Sequence, residues 1–193
     1  EYEGIDTSIR EQFADSDEKL ICHISNFRKV KRVQDVIKVF KQINDKIPSK
    51  LLLVGDGPEK SKIQELCEEL GVCDKVVYLG KLPSTKGVLA ISDLFLLPSE
   101  TESFGLAALE AMASKVPVIS SNTGGIPEVN IDGESGFLSN VGDVDDMSKN
   151  ALKILESEET LNQFKEQAFA VAQRFDLDEV LPKYLELYHR LMK

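Results

Sequence analysis

Apolar residues along the chain fall into short unbroken runs of strand length, separated by longer stretches in which they recur every three or four positions. The runs are 20–25 (LICHIS), 51–54 (LLLV), 75–79 (KVVYL), 94–97 (LFLL), 117–120 (PVIS) and 136–139 (GFLS). None shows a sustained apolar–polar alternation, so each is expected to be a strand covered on both faces. Between them Val33, Val36, Ile37, Phe40, Ile43 and Ile47 keep helical spacing across 31–47. Further helices are expected over 58–70, opened by Pro58 and closed by Gly71, over 85–91 and over 104–113. From 143 onward the pattern is wholly helical, with breaks near 156–158 and 175–176 that divide it into three helices. Strand and helix alternate about six times. The expected fold class is therefore α/β, a Rossmann-like parallel sheet of about six strands with helices on both faces, which takes ligands at the carboxyl ends of its strands.

Residues 1–19 hold few apolar positions and the acidic cluster Asp15-Ser-Asp17-Glu18, and are expected to be a linker or entry segment. Residues 20–175 make the ligand-binding domain and 176–193 a terminal helix. A chain of 193 residues with 42% hydrophobic content buries one sizeable core. Lys and Arg number 23 against 33 acidic residues, a net charge of −10, which argues against nucleic acid or an anionic membrane as a broad-surface partner. Any phosphate site must then be local. Cys22, Cys67 and Cys73 are odd in number and lack C-x-x-C spacing, which points to reduced thiols and a cytoplasmic location. No apolar run has the length of a membrane span. The polar start at Glu1 leads us to expect a piece of a larger protein.

The densest chemistry lies at 98–112, where the 94–97 strand feeds a helix. Glu102 precedes that helix, Ser103 is a good N-cap, Gly105 admits close backbone approach, and Glu110 lies two turns in. Unpaired N–H groups at Phe104, Gly105 and Leu106, with the positive end of the helix dipole, suit a phosphate. A phosphate flanked by two carboxylates, which take hydroxyls, suggests a nucleotide-sugar. After the first strand, Arg28, Lys29, Lys31 and Arg32 form the only dense basic loop at a strand's carboxyl end, a natural partner for a diphosphate. Gly55-Asp-Gly-Pro-Glu-Lys60 fails as a dinucleotide fingerprint because Lys60 holds the third glycine position, which makes a nicotinamide dehydrogenase a poor alternative. Asp143-Val-Asp145 has a metal-binding D-x-D form but opens a helix where acidic caps are ordinary, and Asp15-Ser-Asp17 lies in a polar stretch, so no metal is expected. His23 and His189 have no partner at ligand spacing and are read as structural.

Glu102-Ser-Phe-Gly-Leu-Ala-Ala-Leu-Glu110 has the E-x7-E form with an internal S-F-G-L. With Gly124-Gly-Ile-Pro-Glu128 downstream and Val54-Gly-Asp-Gly-Pro58 upstream, in that order, it resembles the retaining glycosyltransferases of family four over about residues 20–175. The resemblance implies the C-terminal, donor-nucleotide half of a GT-B fold, with a UDP-sugar as donor substrate and no cofactor or metal. It implies that Lys31 and Arg28 hold the diphosphate, that Glu102 holds sugar hydroxyls, and that Glu110 holds the ribose. The backbone at Lys81 and Leu82 would pair with the base, and Gly55 would lie near the nucleotide or simply make a tight turn. The match is imperfect in the basic loop: where the family has G-R-x4-K-G, Lys31 fits the Lys, Asn26 stands for the Arg with Arg28 two places on, and Arg32 replaces the final Gly. An N-terminal domain would supply the acceptor site, and the last helix, with Val180, Leu181, Tyr184, Leu185, Leu187, Tyr188, Leu191 and Met192 in a wide stripe, would pack on it or drive homo-oligomer formation. The alternatives are a non-catalytic nucleotide-sugar binding module and a family-four glycosyltransferase with a different donor and acceptor.

Overall fold

A computed structural model describes residues 7–192 and shows six parallel strands: β1 (Lys19–Ser25), β2 (Ser49–Gly55), β3 (Val76–Gly80), β4 (Leu94–Leu97), β5 (Val118–Ser121) and β6 (Gly136–Ser139). Their order is β3-β2-β1-β4-β5-β6. The chain therefore works outward from β1 to one edge, returns to β4 beside β1, and works outward to the other. The helices are α1 (Val33–Asn44), α2 (Lys60–Glu69), α3 (Lys86–Ile91), α4 (Leu106–Ala113), α5 (Ile126–Val129), α6 (Val144–Leu155), α7 (Glu158–Gln173) and α8 (Leu177–Leu191).

Strand side chains alternate between two cores, as the pleat requires. Ile21, Leu51, Leu53, Leu94 and Leu96 face one cluster with α1, α2 and α6. Leu20, Cys22, Leu52, Val54, Phe95 and Leu97 face the other with α3, α4 and α5. Helix α7 reaches both, through Leu161 on one side and Ala168 and Val171 on the other. Because both faces are covered, the strands read as continuous apolar runs.

Four local features differ from the expected pattern. The 31–47 helix is shorter: a 3-10 turn (Lys29–Lys31) comes first, Arg32 adopts a left-handed conformation with φ of 49°, and α1 starts at Val33. The left-handed turn explains why the resembled motif places Gly at that position. Here an Arg occupies it, paired with Asp35 at 2.6 Å. Likewise α4 starts at Leu106 rather than Phe104, and Ser103 does not cap it; Gly105, with φ of 91°, is the capping residue and turns the chain into the helix. The short α5 after Gly124-Gly125 has too few residues to show a period. Residues 7–14 of the entry segment are fastened: Ile9, Phe13 and Ala14 join the second core, and Arg10 donates to the carbonyls of Ile91 and Glu18 and to Asp93. The part of the linker reading that covers 1–6 lies outside the described residues. None of the described helices is long and apolar enough to cross a membrane.

Candidate functional site

Strands β1 and β4 lie side by side, yet the chain leaves them in opposite directions along the sheet, so their carboxyl ends diverge and leave a crevice. A cleft of about 310 Å³ occupies it. Ser25 at the end of β1, with Asn26 and Lys31 beyond it, lines one side, and Glu102 to Leu106, between β4 and the start of α4, lines the other. A larger groove of about 700 Å³ runs between α1 and α6, but no residue singled out for chemistry lines it except Asp145.

Lys31 Nζ and Glu102 Oε1 form an ion pair across the cleft, with side chains 22% and 15% exposed. Three hydrogen bonds hold the Glu102 loop in place, one to the loop after β1 and two to the segment after β5. Glu100 N–H donates to the Val30 carbonyl at 2.8 Å, and Gly125 N–H donates to the Glu102 carbonyl at 3.0 Å. Thr123 Oγ1 donates to the Glu100 carbonyl at 3.1 Å. The Gly124-Gly125 pair is what lets this happen: a Cβ on Gly124, whose φ is 55°, would lie 1.8 Å from the Glu102 carbonyl oxygen, and one on Gly125 would lie 2.3 Å from that of Ser103. The glycines thus set the position of Glu102 without lining the cleft.

Beside Glu102, the first N–H groups of α4, at Leu106, Ala107 and Ala108, have no intrahelical acceptor, and no side chain caps the helix. With Lys31 they make a region suited to anions, next to a carboxylate suited to hydroxyls. Phe104 is exposed at the rim, its ring edge-on to Phe175 with centroids 5.9 Å apart. Glu110 is exposed one turn beyond Leu106, and the i, i+4 spacing puts the two on one side of α4. It lies outside the cleft as lined.

The other singled-out residues are more scattered. Arg28 is exposed at the start of the 3-10 turn, while Lys81 and Leu82 are exposed in the loop after the edge strand β3. None of the three lines the cleft. Gly55 supports it from beneath, since a Cβ there would lie 1.8 Å from the Ser25 carbonyl oxygen and its φ is 130°. Asp143 accepts from Asp146 N–H at 3.0 Å and so caps α6.

His23, read as structural, sits directly under the cleft. It is fully buried, stacked between Phe27 and Phe95, with Nδ1 2.8 Å from the Leu96 carbonyl and Nε2 2.7 Å from Ser25 Oγ. Burial lowers its pKa to about 4; the Leu96 carbonyl works against this, and the nearby Lys31 ammonium adds to it. The ring is neutral at neutral pH. The readable signal was the i, i+2 spacing of His23 and Ser25, which puts both side chains on one face of a strand.

A six-stranded parallel sheet with a cleft at its topological switch point defines a Rossmann-like α/β protein. The family model "Glycosyl transferases group 1" matches residues 4–171, and the chain belongs to this family. It is 43% identical over 189 residues to the N-acetyl-alpha-D-glucosaminyl L-malate synthase of Bacillus anthracis, covering 97% of this chain and 50% of that protein. It is 30% identical over 174 residues to the sulfoquinovosyl transferase of Arabidopsis thaliana, covering 87% and 32%. Among solved structures, Anabaena HepE in complex with UDP and glucose aligns with a TM-score of 0.85 at 24% identity, over 95% of this chain and 52% of that one. The fold is thus that of GT-B glycosyltransferases, and the chain spans about half the length of the Bacillus and Anabaena proteins and about a third of the Arabidopsis one.

Proposed function

We propose that this chain is the donor-nucleotide part of a retaining glycosyltransferase and binds a UDP-sugar in the cleft between β1 and β4. The observation that carries this reading is the Lys31–Glu102 pair at the mouth of α4, which puts a cation, a set of free N–H groups and a carboxylate within one crevice. Lys31, Arg28 and the N-terminus of α4, with the backbone at Phe104, Gly105 and Leu106, stabilise the departing diphosphate in place of a metal. Glu102 holds sugar hydroxyls and favours positive charge at the anomeric carbon. Glu110 holds the ribose diol, and the loop at Lys81 and Leu82 receives the base.

In the reaction the bond from the anomeric carbon to the diphosphate oxygen breaks with its electron pair going to the diphosphate. The acceptor hydroxyl forms the new bond from the same face, and its proton passes to the departing diphosphate oxygen. The 43% identity to the Bacillus synthase supports UDP-N-acetylglucosamine as donor and L-malate as acceptor, hence a place in bacillithiol synthesis in the cytoplasm. Since the chain spans half of that relative, we place the acceptor site on a second, N-terminal domain; this chain alone binds the donor without turnover. Calorimetric titration tests the reading: UDP and UDP-N-acetylglucosamine should bind in chelator, and NAD should bind more weakly. Equal affinity for NAD, or loss of UDP binding in chelator, would count against it. Turnover by the longer protein separates an enzyme from a binding module.

A further inference from the structure

Ser25 faces the cleft with its hydrogen already committed. Its neighbour His23 presents Nδ1 to the Leu96 carbonyl, an oxygen that can only accept, so Nδ1 carries the ring proton. In the neutral ring Nε2 is then a bare acceptor, and its partner at 2.7 Å is Ser25 Oγ, which must donate. The ring is fully buried, its centroid 6.3 Å from that of Phe27 and 6.4 Å from that of Phe95, and in this orientation both nitrogens are partnered. Only oxygen lone pairs of Ser25 are left to face the cleft.

We propose that the His23–Ser25 pair makes a subsite that accepts a hydrogen bond from the ligand, namely from a hydroxyl or amide N–H of the donor sugar. A phosphate oxygen has no hydrogen to give, and Ser25 turns to it only by stripping the buried Nε2 of its donor. The inference rests on the proposed reading of the cleft as a sugar-nucleotide site and divides it chemically. Lys31 and the α4 N–H groups offer donors to the diphosphate, whereas Ser25 and Glu102 offer acceptors to the sugar. Ser25 is thus a binding residue, and His23 is the positioning residue that fixes its polarity.

The test combines calorimetry with nitrogen NMR of the His23 ring. Wild-type chain, Ser25→Ala and Ser25→Thr are titrated with UDP, UDP-glucose and UDP-N-acetylglucosamine. Ser25→Ala should bind the UDP-sugars about three- to tenfold more weakly, the range for one hydrogen bond, and UDP equally well. Ser25→Thr, which keeps the hydroxyl, should restore the difference. A loss confined to UDP-N-acetylglucosamine identifies the amide N–H as the ligand's donor; a loss with both sugars identifies a hydroxyl. The ring of the unliganded protein should carry its proton on Nδ1. An equal loss for UDP and the UDP-sugars, or a proton on Nε2, overturns the inference while the reading of the cleft as a UDP site still stands. Failure of the wild-type chain to bind UDP overturns the reading of the cleft and the inference with it.

Discussion

Lys31 Nζ is paired with Glu102 Oε1 across the cleft, so the cation we propose for the phosphate and the carboxylate we propose for the sugar neutralise each other. On the proposed reading, a bound diphosphate would give Lys31 a second anion and free Glu102 for hydroxyls. Lys31→Ala should weaken UDP by about 1.5–3 kcal/mol, the value of hydrogen bonds to a charged group, and leave uridine unchanged in calorimetry. A matching loss for uridine would mean that Lys31 props the loop rather than holding phosphate.

The two glutamates of the 102–110 segment should separate cleanly. Glu102 is inside the cleft and Glu110 is exposed farther along α4. Glu110→Ala should weaken UDP and uridine alike, by about 1.5–3 kcal/mol. Glu102→Ala should leave UDP nearly untouched and show its effect with UDP-N-acetylglucosamine. Identical effects on plain UDP would refute these roles.

Glycine geometry offers a test that touches no ligand directly. Gly124→Ala puts a methyl 1.8 Å from the Glu102 carbonyl at a left-handed φ, so the loop carrying Glu102 must move. Donor-sugar affinity should fall more than tenfold. Gly71→Ala is the control: it is equally left-handed, with φ of 65°, but its Cβ would meet nothing within 4 Å. It should cost about 1 kcal/mol of stability and no affinity. Equal affinity losses in the two variants would show that general destabilisation, rather than Glu102 placement, is being measured.

Much of this was legible in the pattern of apolar residues, for a physical reason. Strands covered on both faces need unbroken apolar runs, so 94–97 and 136–139 could be placed to the residue. Helix starts were harder. Ser103 has the chemistry of an N-cap, but the loop is positioned by Gly124 and Gly125 from 20 residues away, and the turn falls on Gly105. The left-handed turn at Arg32 was signalled only by the Gly of the resembled motif, because nothing in an arginine itself announces such a backbone. At the site, Lys31 and Glu102 were readable because both stand at carboxyl ends of predicted strands. His23, read as structural, is indeed buried with both ring nitrogens partnered; its place beneath the cleft was not legible, because the bond to Leu96 comes from a strand distant in sequence.

Acid should unfold the chain through His23. Its folded pKa is about 4, against about 6.5 for a free ring, so between these values the unfolded chain binds the proton first. The contribution is full above pH 6.5 and is lost as pH falls toward 4, by about 3 kcal/mol at most. Asp93 adds a further loss at lower pH. Burial pushes its carboxyl up, but Lys165 at 2.8 Å, the Leu20 N–H at 3.0 Å and Arg10 at 2.7 Å outweigh that and hold it below the ordinary value. Denaturant titrations at pH 7 and pH 5 should show the His23 slope, and His23→Gln should flatten it. An unchanged slope in that variant would place the acid sensitivity elsewhere.

Helix α8 has no buried residue, although its apolar stripe is built for burial. Leu177 is 69% exposed, Tyr188 60% and Leu191 74%, while α7 just before it buries Leu161, Ala168 and Val171. Covering a Leu-sized side chain is worth about 1.5–3 kcal/mol, so a stripe of this size favours a partner surface, which we take to be the proposed second domain or another copy of the chain. Amides of α8 should therefore exchange faster than those of α6 and α7 in dilute solution, and slow as concentration rises if copies pair. Leu181→Asp with Tyr188→Asp should barely change the melting temperature of the dilute chain, because neither side chain is buried against this domain, and should abolish any concentration dependence. Strong, concentration-independent protection of α8 in a monomer, or a large drop in melting temperature in that double variant, would place the helix in this domain's own core and remove the reason to look for a partner there.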